Sequence, residues 1–164
     1  MLNNNGMEAP LSHLDITKGD IAKGDIAKGT VQSLSLRLHP GADIRRDLEA
    51  LSQKENISAG VILGAVGSLS QVNLRFAGEH EHTLLEGKHE ILTLSGMLGK
   101  EGVHLHMSVA NSQGECRGGH VVYGCVVYTT LELAIAIMPE VAFQRVLDQA
   151  TGFKELKIVA PSNQ

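Results

Sequence analysis

The sequence is poor in aromatic residues and in cysteine. Its 164 residues include no tryptophan, three phenylalanines and two tyrosines, so a core has to be built from Val, Leu, Ile and Ala. Hydrophobic residues make up 43% of the chain, which is enough for one domain with a real core. Two cysteines are too few for a disulfide framework. Cys125 lies in an apolar run and is typical of a buried thiol, and we expect both Cys116 and Cys125 to be reduced.

Neither a basic run nor a long apolar run occurs in the chain. The formal net charge is −4 at pH 7, whereas proteins that bind DNA through their own surface usually have a basic patch. This argues against nucleic acid as a partner, although folding can bring Lys and Arg together from distant segments. No stretch of about 18 apolar residues is present, and the N-terminus lacks the basic and apolar regions of a signal peptide. We therefore expect a cytoplasmic protein that has no contact with membranes.

Residues 1–29 differ from the rest of the chain because they contain a tandem repeat. Ile16, Ile21 and Ile26 each begin a five-residue unit with Lys-Gly at its third and fourth positions. A period of five matches neither the 3.6-residue period of a helix nor the 2.0-residue period of a strand, and three copies are too short for a solenoid. We interpret residues 1–29 as a flexible N-terminal extension and residues 30–160 as a single domain. A binding arm is the alternative for the extension.

The hydrophobic pattern of residues 30–160 predicts several strands and one helix. Ile44, Leu48 and Leu51 recur at helical spacing behind Asp43, and Asn56 ends the helix. The segment 139–149 fits a strand or a helix equally well. The predicted strands, with the Ser-Leu-Ser segment 68–70 as a turn, are 31–38, 59–66, 71–77, 87–98, 103–110, 120–127, 130–137 and 153–159.

This order of elements predicts an α+β domain with a largely antiparallel β-sheet and one main helix. The strands at 61–66 and 121–127 are apolar on both faces. One helix cannot cover both faces of a sheet of this size. We therefore expect other subunits of a homo-oligomer to cover the remaining apolar face.

His104, His106 and His120 are candidate metal ligands. Side chains two apart in a strand share a face, so His104 and His106 lie on one face and the apolar residues between them on the other. The polar segment 111–115 predicts a turn, after which the chain returns beside the first strand. An odd number of loop residues, or a bulge, puts His120 almost opposite His106. An even turn without a bulge would put His120 on the wrong face.

Three histidines without a fourth protein ligand are typical of an open zinc site, in which water or substrate takes the last position. Imidazole also suits copper, nickel, iron and cobalt, but zinc is the metal we favour. The alternative is that these are ordinary half-buried histidines of a strand. A second His-x-His pair, His80 and His82, is surrounded by Glu residues, and we predict that it is solvated. Glu132 is a candidate general base because its strand follows the hairpin, although the sequence does not show which way it faces.

Several short motifs carry a resemblance to a known family. They are Pro40-Gly-Ala-Asp43, Gly64-Ala-Val-Gly-Ser-Leu69, Gly87-Lys-His-Glu-Ile-Leu92, Leu94-Ser-Gly96, His104-Leu-His106 and Gly118-Gly-His120. On these residues the chain resembles, from about Val31 to Leu156, the PPC domain shared by plants and prokaryotes. In plants this domain follows AT-hook DNA-binding motifs, whereas this chain is similar to the stand-alone prokaryotic type.

The resemblance implies an α+β fold, a homotrimer and a metal site of three histidines that match His104, His106 and His120. It also implies DNA binding, but the Arg-Gly-Arg-Pro core of the AT-hook is absent here. In plant members the region similar to residues 87–92 is used for partner interaction, and His89 stands where they usually carry Phe. An ordinary sheet strand is the alternative for this region. The candidate interaction motif is Gly87, Lys88, His89, Glu90, Ile91 and Leu92.

Three functions stay open at this point. The first is a metal-binding homotrimer whose open coordination position senses or acts on a small molecule. The second is a DNA-binding regulatory protein, and the third is a structural metal in a trimeric scaffold without catalysis. The sequence does not decide whether the protein is an enzyme.

Overall fold

One helix and eight strands make up residues 27–160, which are the residues that the computed structural model describes. The predicted extension lies outside the described residues except for its last three, 27–29. In chain order the elements are β1 Gln32–Leu38, α1 Ile44–Lys54, β2 Gly60–Arg75, β3 Thr83–Gly99, β4 Gly102–Ala110, β5 Cys116–Val121, β6 Val126–Ile137, β7 Ala142–Leu147 and β8 Lys154–Val159.

Six of the strands form one antiparallel sheet in the order β1-β6-β2-β3-β4-β5. The end of β2 also pairs with β5, where Leu74 lies opposite Val121 and Arg75 opposite His120. This extra pairing closes β2, β3, β4 and β5 on themselves, so that the sheet curls around its core. β7 and β8 form a separate two-stranded sheet. The prediction of a largely antiparallel α+β domain with one helix is confirmed.

The helix α1 lies where its sequence pattern predicts it. The Asp43 carboxylate accepts a hydrogen bond from Arg46 N at 3.0 Å and caps the N-terminus. Ile44 and Leu48 are completely buried in the same cluster as the inner residues of the large sheet. The helix ends just before Asn56, which has a positive φ of 55°. The core is therefore closed by a single amphipathic helix.

The Ser-Leu-Ser segment is not a turn, so that prediction is wrong. β2 continues through it with a bulge between Leu69 and Gln71. Leu69 is completely buried, and the Ser68 and Thr129 hydroxyls share a hydrogen bond of 2.7 Å. Neighbouring strands on both sides of β2 satisfy the polar groups of this segment, and their pairing prevails over its local turn preference.

The structure corrects the prediction for one further segment and decides the open alternative for another. The apolar run 120–127 is two strands joined by a turn, because β5 ends at Val121 and β6 begins at Val126. Within that turn Gly124 has a φ of 101°, which favours glycine. The undecided segment 139–149 contains the strand β7. Among the described residues, no helix is both long and apolar enough to cross a bilayer.

Part of the sheet surface facing away from the core is apolar and exposed. Leu63 and Val66 on β2 are 65% and 70% exposed, and on β3 Leu92 is 50% exposed and Met97 36%. These residues lie in the central strands, where a single chain usually covers its large aliphatic side chains. The surface has the character expected of a face that another subunit covers, and the oligomeric state stays a prediction.

Candidate metal centre

Three histidine rings from β4 and β5 converge at one place. His106 lies directly opposite His120 in the register of the two strands. The ring centroids are 5.0 Å apart for His104 and His106, 5.1 Å for His104 and His120, and 5.6 Å for His106 and His120. One nitrogen from each ring lies within 4.8 Å of the other two. Tetrahedral zinc with Zn–N bonds of about 2.0–2.1 Å would draw these nitrogens to about 3.3 Å apart, so small side-chain rotations suffice to fit a metal.

The hairpin loop sets this register. Its five residues join β4 to β5, and the Asn111 side-chain oxygen accepts hydrogen bonds from Gln113 N and Glu115 N, both at 3.0 Å. Because the loop has an odd number of residues, residues of even number share a face on both strands. The prediction that His120 lies opposite His106 is confirmed. The opposite face of β4 holds Val103, Leu105 and Met107, which are 5%, 0% and 3% exposed.

The surroundings of the triad favour neutral imidazoles. Burial, followed by the neighbouring His104 and the guanidinium of Arg75, lowers the pKa of His120 from 6.5 to about 4. Burial also lowers the pKa of His104, and the charge of Arg145 adds to the effect. Metals bind the neutral ring, and proton competition weakens their binding when the pKa is higher. At neutral pH the two rings are therefore in the form that a metal requires.

Arg45 lies against the triad from the first turn of α1. Its Nη1 is 3.4 Å from His120 Nε2 and donates to the Val121 carbonyl oxygen at 3.0 Å. Its Nε donates to Glu49 Oε1 at 3.0 Å, and its guanidinium carbon is 5.2 Å from the centroid of the Tyr123 ring. The Tyr123 hydroxyl in turn donates to Glu49 Oε2 at 2.6 Å. These contacts hold the guanidinium in one orientation.

The cap of α1 also positions Arg45. The second oxygen of the Asp43 carboxylate accepts a hydrogen bond of 2.6 Å from Gly124 N, in the turn after β5. Ile44 N donates to the Cys125 carbonyl oxygen at 3.0 Å. Asp43 thus ties the start of the helix to the turn next to His120.

Arg145 reaches the triad from the other side, on β7. Its Nη1 is 3.5 Å from His104 Nδ1, and its backbone N donates to Glu101 Oε2 at 2.8 Å. Burial lowers the pKa of the Arg145 guanidinium, while nearby Glu155 raises it and the charge of Arg45 lowers it. The two arginines are thus close enough for their charges to interact.

The histidines open into a cavity of about 690 Å³, which His104 and His120 line. Its walls include residues of α1, the β3–β4 turn and the β7–β8 hairpin. The other residues that line it are Arg45, Glu49, Gln53, Arg75, Lys100, Glu101, Gly102, Val103, Tyr123, Arg145, Phe153, Lys154 and Glu155.

The structure does not bring Glu132 to the histidines. Glu132 lies on β6 opposite Arg37 on one side and Val66 on the other. It is exposed, and its Oε1 is 3.5 Å from the Thr130 hydroxyl. It does not line the histidine cavity, so it is not in place to act as a base there.

The remaining candidates lie apart from the triad. His80 and His82 are exposed, as predicted, and His82 Nδ1 is 3.0 Å from the Asn73 side-chain oxygen. The candidate interaction motif 87–92 lies within β3. There His89 is 7% exposed, with its Nδ1 3.0 Å from the Gly87 carbonyl oxygen. A role of this motif in binding a partner stays a prediction.

Sequence reasoning missed the residues that surround the triad. Arg45 and Glu49 are four apart on the helix, which is the spacing of an ion pair on one face, and that signal was available. Arg145 shares strand parity with the buried Val141 and Phe143, but nothing local indicates that β7 packs against the end of β3 and the β3–β4 turn, next to His104. The arginines meet the histidines through tertiary contacts alone.

Most of the chain matches a known family of domains. The sequence profile of the Plants and Prokaryotes Conserved (PCC) domain matches residues 25–139. The chain belongs to this family. Its PCC domain thus accounts for α1, the large sheet and all three histidines, whereas the β7–β8 hairpin follows the matched segment.

Three similar proteins illustrate the range of PCC relatives. The Bifunctional protein GlmU of Synechococcus sp. (strain JA-2-3B'a(2-13)) is 49% identical over 123 residues, which are 75% of this chain and 20% of that protein. The chain thus spans about a fifth of the length of the curated relatives it matches. A hypothetical protein from Salmonella has a structure with a TM-score of 0.80 at 39% identity, covering 82% of this chain and 97% of its own. A metal-containing protein from Archaeoglobus fulgidus has a TM-score of 0.73 at 25% identity, covering 82% and 99%.

Proposed function

We propose that this protein is a metal-binding homotrimer in which His104, His106 and His120 hold one zinc ion per chain and leave a coordination position for a small molecule. The observation that carries the proposal is the convergence of the three rings, with one nitrogen of each within 4.8 Å of the others. Burial lowers the pKa of both His104 and His120, and this supports the proposal because it favours the neutral rings that bind metals. The metal-containing relative from Archaeoglobus is a further support.

The number of ligands favours an open centre over a purely structural one. Structural zinc sites are closed by four protein ligands, whereas catalytic sites keep three and an open position. The cluster consists of three histidines, and within residues 27–160 no cysteine or carboxylate joins it. A cavity in front of the histidines gives a small molecule access to the fourth position.

The chain itself supplies binding, orientation and charge at this centre. The hairpin fixes the three imidazoles in register, while Arg45 and Arg145 place positive charge beside His120 and His104. A bound zinc ion supplies Lewis-acid chemistry and lowers the pKa of a water molecule bound to it. Whether a reaction follows depends on the ligand, and the proposal covers a sensor as well as an enzyme.

A trimer accounts for the exposed apolar residues of the central strands. The side chains concerned are Leu63, Val66, Leu92 and Met97. Burial of each stabilises an assembly by up to about 1.5–3 kcal/mol. Light scattering at micromolar concentration should report three chains. A stable monomer would contradict the burial argument, and a dimer would keep that argument while contradicting the inference from the family.

Metal analysis of the purified protein tests the centre directly. We expect about one divalent ion per chain, and its loss when all three histidines of the triad are replaced by alanine. A variant with His80→Ala and His82→Ala is the matched control, because it removes an exposed His-x-His pair and should keep its metal. Full occupancy in the triple variant would refute the assignment.

A further inference from the structure

The wall of the histidine cavity is cationic although the chain as a whole is acidic. Five basic side chains and three carboxylates line it, while the formal net charge of the chain is −4. Each of the carboxylates already accepts a hydrogen bond within the fold: Glu49 from Arg45 and Tyr123, Glu101 from Arg145 N, and Glu155 from the Thr151 hydroxyl. A divalent ion on neutral histidines would add two further positive charges. The basic residues of the wall are Arg45, Arg75, Lys100, Arg145 and Lys154.

The fold orders the Arg45 guanidinium but leaves one of its nitrogens available to a ligand. Its contacts with Glu49, Val121 and His120 occupy Nε and Nη1, and Nη2 has no partner among residues 27–160. The stacked Tyr123 ring restricts the guanidinium further. An arginine that is already ordered loses less conformational entropy when it binds a ligand.

Arg145 carries a charge that the fold leaves without an ion pair. Its side chain is partly buried, and its guanidinium contact is the His104 ring at 3.5 Å. The one ion pair within 4.0 Å among the described residues is that of Arg45 with Glu49. The carboxylate of Glu155 offsets part of this charge but forms no ion pair with Arg145 within 4.0 Å, and a partly buried cation is costly unless an anion compensates it fully. Such an arrangement is typical of a binding site whose anion arrives with the ligand.

From this geometry, and on the basis of the metal-binding function proposed above, we infer that the centre takes an oxyanionic small molecule. A carboxylate or phosphate group would lie between Arg45 and Arg145, with one oxygen available to the metal. Guanidinium groups bind both kinds of oxyanion through paired N–H donors, and these charge-assisted hydrogen bonds are about twice as strong as neutral ones.

The size of the cavity indicates an organic anion rather than an inorganic ion. Its volume of about 690 Å³ lies within the range of about 300–1,000 Å³ that is usual for small-molecule sites. Tyr123 and Phe153 offer aromatic surface on its wall. A ligand with an anionic head and a carbon body would therefore use both the charge and the apolar surface.

The β7–β8 hairpin gives the inference its specific character. Arg145, Phe153, Lys154 and Glu155 all belong to the hairpin or its turn, after residue 139, where the match to the PCC profile ends. The triad and Arg45 lie within the matched segment. The ligand therefore meets a wall contributed partly by residues outside the PCC profile.

Cobalt substitution of the full chain allows a test without knowledge of the natural ligand. Inorganic phosphate and acetate are titrated into the cobalt-loaded protein, and the visible absorption of the metal reports binding at its open position. We expect a saturable spectral change. The affinity should fall at least about tenfold in Arg45→Gln and in Arg145→Gln, because each loses a charge-assisted hydrogen bond, while the cobalt content stays at about one per chain.

Arg46→Gln is the matched control. Arg46 follows Arg45 on the same helix, is exposed and does not line the cavity, so this variant should bind like the wild type. Arg145→Gln breaks no ion pair within 4.0 Å and remains informative if Arg45→Gln folds poorly. A stronger response to phosphate identifies a phosphate-bearing ligand, and a stronger response to acetate a carboxylate. Both responses support the inference.

The two levels of the proposal fail in different ways. If the chain does not take up cobalt at the triad, the metal-binding function itself is refuted. If cobalt binds but neither anion changes the spectrum, only the anionic ligand is refuted. The same holds if the arginine variants bind the anions as tightly as the wild type.

Discussion

Gly96 allows a sharp test of how the packing of β3 holds the metal centre in place. This glycine of the Leu94-Ser-Gly96 motif lies opposite Leu105, between the two histidines of β4. A Cβ atom at this position would overlap the His104 carbonyl oxygen and lie 2.5 Å from Leu105 Cδ2 and 3.1 Å from Leu105 Cα. Carbon atoms in good contact are about 3.5–4.0 Å apart, so Gly96→Ala forces β4 away from β3 or distorts it.

The expected cost lies at the upper end of the range for overpacked cores. Such substitutions typically destabilise by about 1–3 kcal/mol. The obstacle here includes a backbone carbonyl, which cannot rotate away, and Leu105 is completely buried. We expect a loss of about 3 kcal/mol, which corresponds to about 10 °C in Tm for a domain of this size. Since the displaced segment carries His104, metal affinity should also fall, by about tenfold or more.

Gly64→Ala is the matched control for this prediction. A Cβ at Gly64 meets no atom within 4 Å, and alanine costs less conformational entropy than glycine in a strand, by about 0.5–1 kcal/mol. Thermal unfolding followed by circular dichroism measures stability, and competition with a chromophoric chelator measures metal affinity. Gly64 is exposed and follows Leu63 in the apolar surface that another subunit is expected to cover. Light scattering on both variants therefore checks that the oligomeric state is unchanged. If Gly96→Ala has the wild-type Tm and metal affinity, this account of the β3–β4 contact is wrong.

Four further predictions concern the rest of the chain. The exposed Cys116 should react rapidly with a thiol reagent, whereas Cys125 should react only on unfolding. Cys125 is buried and donates to the Asn73 carbonyl oxygen at 3.2 Å, and burial raises its pKa to about 11. Two rapidly reacting thiols would contradict this. Since the Cys125 pKa is higher in the folded state, its contribution to stability should be complete below about pH 8.5 and decline as the pH rises towards 11. Removing residues 1–29 should leave Tm and metal content unchanged, because Thr30 keeps its hydrogen bonds to Glu140, and a large loss of Tm would show that the repeat packs on the domain. Finally, the chain should bind random duplex DNA no more tightly than about 10⁻⁴ to 10⁻⁶ M at physiological salt, and sub-micromolar, salt-sensitive binding would instead support a DNA-binding regulator.

The local sequence pattern was sufficient to predict an element wherever nearby residues alone determine it. The spacing of Ile44 and Leu48 behind Asp43 determined the helix, because an amphipathic stripe and a cap are both properties of adjacent residues. The odd loop determined the register of His106 and His120 for a similar reason, since in a hairpin without a bulge the alternation depends only on the number of residues between its strands.

Local pattern was insufficient where neighbouring strands decide. The Ser-Leu-Ser segment has the composition of a turn, yet it lies in the middle of β2 because β3 and β6 pair with it on both sides. For the segment around Phe143, helix and strand patterns coincide, and pairing with β8 selects the strand. The direction of Glu132 likewise depends on its position between β1 and β2.

The sequence by itself thus determined the chemical type of the site, three imidazoles on one face of a hairpin, because a strand fixes the side on which alternate residues lie. Only the tertiary structure decided what surrounds that site. Arg45 and Arg145 are 100 positions apart and reach His120 and His104 from a helix and from a second sheet. No local period encodes the distance between elements that pack against each other, so the charge of the cavity, on which the inferred class of ligand rests, follows from the fold alone.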